Sequence, residues 1–85
     1  MMEKINNPVS VMMDFNHHQQ KLRPVQLQWN NRDWRVEKVG LHHQYYSGRK
    51  LIHIFSVTSG GMFFKLELDT QNLFWKLLEV GDGSV

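Results

Sequence analysis

The sequence predicts an all-β domain of five to six short antiparallel strands, arranged as a bent meander or a small, partly open barrel. Three observations carry this reading. Apolar residues recur at every second position through most of the chain, the period of a half-buried strand. Turn signals rich in Asn, Gly, Ser and Asp break that alternation about every 8–15 residues. No segment shows the i, i+3, i+4 apolar stripe with caps that an amphipathic helix requires.

The first strand is marked by Val9, Val11, Met13 and Phe15 alternating with Ser10, Met12 and Asp14. A polar run at 16–20 ends it. Val25, Leu27 and Trp29 alternate with Gln26 and Gln28 in a second strand, entered through Pro24, because proline is tolerated where a strand starts. Asn30 and Asn31 follow; asparagine accepts the left-handed backbone of a two-residue hairpin. Trp34 and Val36 then face one side, and the apolar phase slips to Val39 and Leu41. Such a slip near Lys38 predicts a β-bulge that bends the strand. Ser47 and Gly48 make the next turn. Residues 51–58 form a strongly β-prone strand, with His53, Phe55 and Val57 on one face and Ile52, Ile54 and Ser56 on the other. Ser59, Gly60 and Gly61 turn again. Phe64, Leu66 and Leu68 alternate with charged residues, 69–72 has turn composition, and residues 73–80 form the last strand.

The chain of 85 residues is 41% hydrophobic and 12% aromatic, enough for one packed core and too apolar for a disordered segment. The organisation this predicts is a flexible N-terminus at 1–7, a single all-β domain at 8–80 and a flexible tail at 81–85. With no cysteine, disulfides, thiolate metal sites and thiol nucleophiles are excluded, and a reducing, cytoplasmic setting is expected. No apolar run approaches the length needed to span a bilayer, and residues 1–8 lack the apolar stretch of a signal peptide, so no membrane partner is expected.

Candidate chemistry is sparse. The five histidines are His17, His18, His42, His43 and His53. Adjacent strand residues point to opposite faces, so neither neighbouring pair chelates a metal by itself. A site would need His43 and His53 to meet across strands with a third ligand, and no cofactor is expected. Serines lack a nucleophile elbow, and Glu37, Glu67 and Asp69 read as partners of Arg35, Lys38 and Lys65 in cross-strand ion pairs. An enzyme is not expected.

Recognition surfaces are better represented. Residues 21–80 carry nine Lys/Arg against five acids, a surplus that permits an anionic partner. Small β-barrels bind single strands by stacking bases on aromatic rings beside cations. Trp29, Trp34, Phe55, Phe64 and Trp75 follow the apolar period and are assigned to the core, which leaves Tyr45, Tyr46, Phe63 and Phe74. The candidate nucleic-acid surface is therefore Arg32, Arg35, Lys38, Tyr45, Tyr46, Arg49 and Lys50. Ile52, Ile54 and Phe63 make part of the sheet apolar on both sides, which marks them as interface candidates for a protein partner or for self-association.

Pro24 and Trp29, Arg32-Asp33-Trp34-Arg35-Val36 with Val39, His53, Phe55 and Val57, Phe64, Leu66 and Leu68-Asp69-Thr70, and finally Leu73, Trp75 and Leu77 form a series. Over residues 24–80 this series resembles a small bacterial all-β domain family of unknown function. That family is similar to the C-terminal end of Y-family-polymerase-like proteins of bacterial mutagenesis cassettes. The resemblance rests on turn and core residues and transfers no residue roles. It implies a bacterial, cytoplasmic, non-catalytic accessory module adjacent to DNA metabolism. The functional expectation is thus a small non-catalytic interaction module. The alternatives are weak nucleic-acid binding and, less favoured by the residue pattern, histidine-based metal binding.

Overall fold

The computed structural model describes residues 2–82, and these form eight strands and no helix. In chain order they are β1 (Met2–Pro8), β2 (Ser10–Asn16), β3 (Lys21–Trp29), β4 (Arg32–Arg35), β5 (Lys38–Ser47), β6 (Lys50–Ser59), β7 (Met62–Asp69) and β8 (Phe74–Gly81). One antiparallel sheet has the order β1-β8-β7-β6-β5 and a second has the order β2-β3-β4. The two are not closed into a barrel.

The chain passes between the sheets at two corners. At the first, between β1 and β2, the Val9 amide donates to the Trp75 carbonyl at 3.1 Å. At the second, between β4 and β5, Val36 donates to the Val25 carbonyl at 2.8 Å and Glu37 to the Thr58 carbonyl at 2.9 Å. Successive residues therefore bond to different sheets. The phase slip near Lys38 marks this corner, together with a register shift between Val39 and Leu41. The strand predicted across 34–41 becomes β4 and the start of β5, which accounts for part of the rise from six strands to eight.

The remaining extra strand is β1, where residues 1–7 had been expected to be flexible. Met2 pairs with Gly81 and Pro8 with Lys76, so β1 covers the free side of β8. Its alternation is hidden because Asn6 takes a left-handed φ of 54° and the register shifts between Lys4 and Asn7. At the other end, Gly81 is the last residue of β8, and 83–85 lie outside the described residues.

Two further placements differ from expectation for local reasons. Pro24 lies inside β3, not at its start, opposite Met13 where the β2–β3 register shifts. On the other side of β3, β4 ends at Arg35 opposite Gln26, so no β4 residue there requires the missing amide of Pro24. The same shift turns Met13 and Phe15 outward, although Val11 remains half-buried.

The core follows the period-two pattern. Phe55 and Val57 of β6, Phe64, Leu66 and Leu68 of β7, and Trp75, Leu77 and Val80 of β8 pack against Leu27 and Trp34 of the small sheet. The Trp34 ring lies 5.2 Å from that of Phe64, and Trp29 meets Phe64 edge-on at 6.0 Å. The Trp34 indole N–H donates to the Trp29 carbonyl at 3.3 Å, and the Arg32 guanidinium covers the ring at 4.1 Å. Asn30 and Asn31 both hold positive φ, 58° and 59°, as the tight hairpin demands. Gly60 is favoured by its φ of 53°, and it lies beside the Trp34 ring, which a Cβ there would touch at 3.4 Å.

Candidate functional site

Four strands have a neighbour on one side only, and three of these edges are blunted. β1 carries Glu3, Lys4 and Pro8 and is broken at Asn6; β2 is interrupted by its register shift and by Asp14; β4 is four residues long, three of them charged. Charges, prolines, bulges and short length are the usual protections against unwanted strand pairing. β5 has none of these beyond its first three residues. It runs for ten residues, pairs only with β6, and from Leu41 to Ser47 contains no Lys, Arg, Asp, Glu or Pro. Every residue of β5 except Val39 is exposed, including Leu41, Tyr45 and Tyr46.

Register assigns the side chains of β5 to faces. Leu41, His43 and Tyr45 stand opposite Ser56, Ile54 and Ile52 on the outer face. His42, Gln44 and Tyr46 stand opposite Phe55, His53 and Leu51 on the other. Ile52 and Ile54, interface candidates on sequence, are only 6% and 5% exposed. Tyr45 and Asp69 flank Ile52, and His43 and Glu67 flank Ile54, so these isoleucines support the surface instead of presenting it. Phe63, the third candidate, is half-buried opposite Thr58 and Gly81.

Where β5 meets β6, His42 Nε2 lies 2.8 Å from His53 Nδ1, with His42 stacked on Phe55 at 4.2 Å between ring centroids. The cross-strand histidine pair is thus His42 with His53. His43 projects to the outer face, because adjacent residues of a strand alternate. His42 lines a cleft of about 530 Å³ together with Asp14, Lys21 and Arg23. Among the described residues no three His, Asp or Glu side chains converge as metal ligands. His17 and His18 occupy the exposed turn after β2.

Burial lowers the pKa of both rings from the ordinary 6.5, and for His42 the charges of His53 and His43 push it down further. A base whose folded pKa is depressed contributes stability that is present above 6.5 and lost as pH falls below it. The melting temperature should therefore decline from about pH 7.5 to about pH 5.5, and this decline should flatten in a His42→Gln/His53→Gln variant. An identical decline in the variant would place the pH sensitivity elsewhere.

The seven residues of the candidate nucleic-acid surface do not form one patch. Arg32 covers Trp34, and Arg35 and Lys38 flank the β4–β5 corner. Arg49 and Lys50 lie beyond the far end of β5, about 30 Å away at about 3.3 Å per strand residue. Tyr45 and Tyr46 point to opposite faces. Lys50 is engaged by Asp69 at 3.7 Å, and Lys65 pairs with Glu79 at 3.4 Å. The open edge itself was missed by sequence reasoning, although the uncharged run at 39–47 was its visible signal.

Comparison with known proteins adds no relative: no family model, no curated protein and no solved structure matches the chain. Among the described residues no helix is long and apolar enough to cross a membrane.

Proposed function

We propose that this chain is a small interaction module without chemistry of its own, which takes up an extended peptide segment as an added strand beside β5. One observation carries the reading: β5 is a long, exposed, uncharged edge on a protein whose other edges are protected. A guest strand would gain main-chain hydrogen bonds along β5 and side-chain contacts with Leu41 and Tyr45, the usual division between affinity and specificity in strand addition. Ile52 and Ile54 stand opposite Tyr45 and His43 on the same face. The split between the two groups of cations argues for this mode over nucleic-acid binding, which needs cations tracking a continuous backbone.

The test is fluorescence anisotropy with a panel of labelled, alternating apolar–polar decapeptides. Members of the panel should bind with micromolar Kd. A Leu41→Lys/Tyr45→Lys variant, folded by circular dichroism, should bind at least about tenfold more weakly, because lysine on an edge opposes pairing. Binding unchanged in the variant, or absent across the panel, would contradict the proposal.

A further inference from the structure

We infer that the segment received by β5 carries acidic residues at both ends, around a centre of alternating apolar and polar residues. The inference rests on the strand-addition reading and supplies its partner's chemistry. Between Lys38 and Lys50 the chain holds three cations (Lys38, Arg49, Lys50) and no carboxylate. The other 72 residues hold seven Lys/Arg against eight Asp/Glu, so the net charge of +2 arises wholly at this edge. Lys50 is occupied by Asp69. Lys38 and Arg49 form no ion pair among the described residues. They bracket β5, one at each end of its uncharged span, and a strand of about ten residues laid along β5 reaches both.

The same charges disfavour the other occupants. A second copy paired antiparallel about Gln44, the register that uses the whole uncharged run, brings Lys38 of each copy to the Ser47–Lys50 turn of the other, where Arg49 stands. A parallel copy sets Lys38 beside Lys38, and like charges facing one another are destabilising. A single-stranded nucleic acid presents a phosphate at every nucleotide, while 39–48 offers no Lys or Arg to meet them.

The discriminating experiment uses the full chain and labelled decapeptides that share one alternating Thr-Val core. One peptide ends in Glu at both sides, one in Lys, one in Ser, and one is the Glu peptide N-methylated at alternate residues. Oligothymidine is a fifth probe. The Glu-ended peptide should bind about 5- to 10-fold more tightly than the Ser-ended one, and the Lys-ended peptide more weakly than either. The preference should shrink in high salt and reverse in Lys38→Glu/Arg49→Glu. Should that variant not fold, Lys38→Gln/Arg49→Gln should abolish the preference instead. Equal affinity for all three end groups overturns the acidic partner while leaving strand addition intact. If N-methylation has no effect, strand addition itself fails. Tighter binding of oligothymidine than of any peptide, or a stable dimer in sedimentation that excludes the peptides, likewise overturns the inference in favour of nucleic acid or a second copy.

Discussion

Trp34→Ala should leave much of the protein unfolded at room temperature. Trp34 is only 9% exposed although it lies on a four-residue edge strand. It is held by Phe64, by Arg32 above the ring and by the hydrogen bond to the Trp29 carbonyl. Truncating a buried aromatic costs about 3–5 kcal/mol. A chain this short buries a smaller share of its surface than larger domains do, so its total stability belongs near the low end of about 5–15 kcal/mol. The loss is comparable to the whole. Urea titration followed by far-ultraviolet circular dichroism should show the midpoint collapsing. Tyr46→Ala, at a ring 71% exposed, should move it by no more than about 0.5 kcal/mol. An unshifted midpoint for Trp34→Ala would mean that the two sheets are held together by other contacts.

Phe55→Ala should be as damaging, and it should also disturb the edge. Phe55 is fully buried, contacts Trp75 at 5.6 Å between centroids, and forms the floor on which His42 stacks. The expected cost is again about 3–5 kcal/mol, from lost transfer energy and the cavity left behind. Because the His42 ring then loses its platform, the decline of melting temperature with acid should shrink along with the stability. A destabilised variant that keeps the full decline would separate the histidine pair from the core.

What was legible in the sequence and what was not divide along physical lines. Phe55, Val57, Phe64, Leu66 and Leu68 were readable as core because a strand's side chains alternate strictly wherever its register is regular. Asn30, Asn31 and the Gly60-Gly61 pair were readable because positive φ restricts residue choice. The misassignments fall where register shifts: at Met13 and Phe15, at Pro24 and at Asn6, where one extra residue reverses every following side chain. β1 was hidden for a second reason besides the break at Asn6. Its partners in β8 lie roughly seventy to eighty residues along the chain, and a polar segment gives no local sign that a distant edge will capture it. The site was half legible. Tyr45 and Tyr46 stood out as aromatics off the apolar period, whereas Ile52 and Ile54 were assigned to a surface that Tyr45, His43, Glu67 and Asp69 in fact cover. That β5 is an edge depends on strand order, which periodicity does not encode. The meeting of His42 with His53 likewise depends on register between neighbouring strands.

The central claim is that the open side of β5 is the recognition surface, and amide chemical-shift mapping tests it most directly. On titrating the isotope-labelled protein with the Glu-ended decapeptide, the largest shifts should fall on backbone amides of residues 38–47. Amides of β5 facing away from β6 should become protected from solvent exchange as they acquire carbonyl partners. Shifts concentrated on Arg32 and Arg35, on the β7–β8 turn, or on β2, with β5 amides unmoved and still exchanging, would contradict the account.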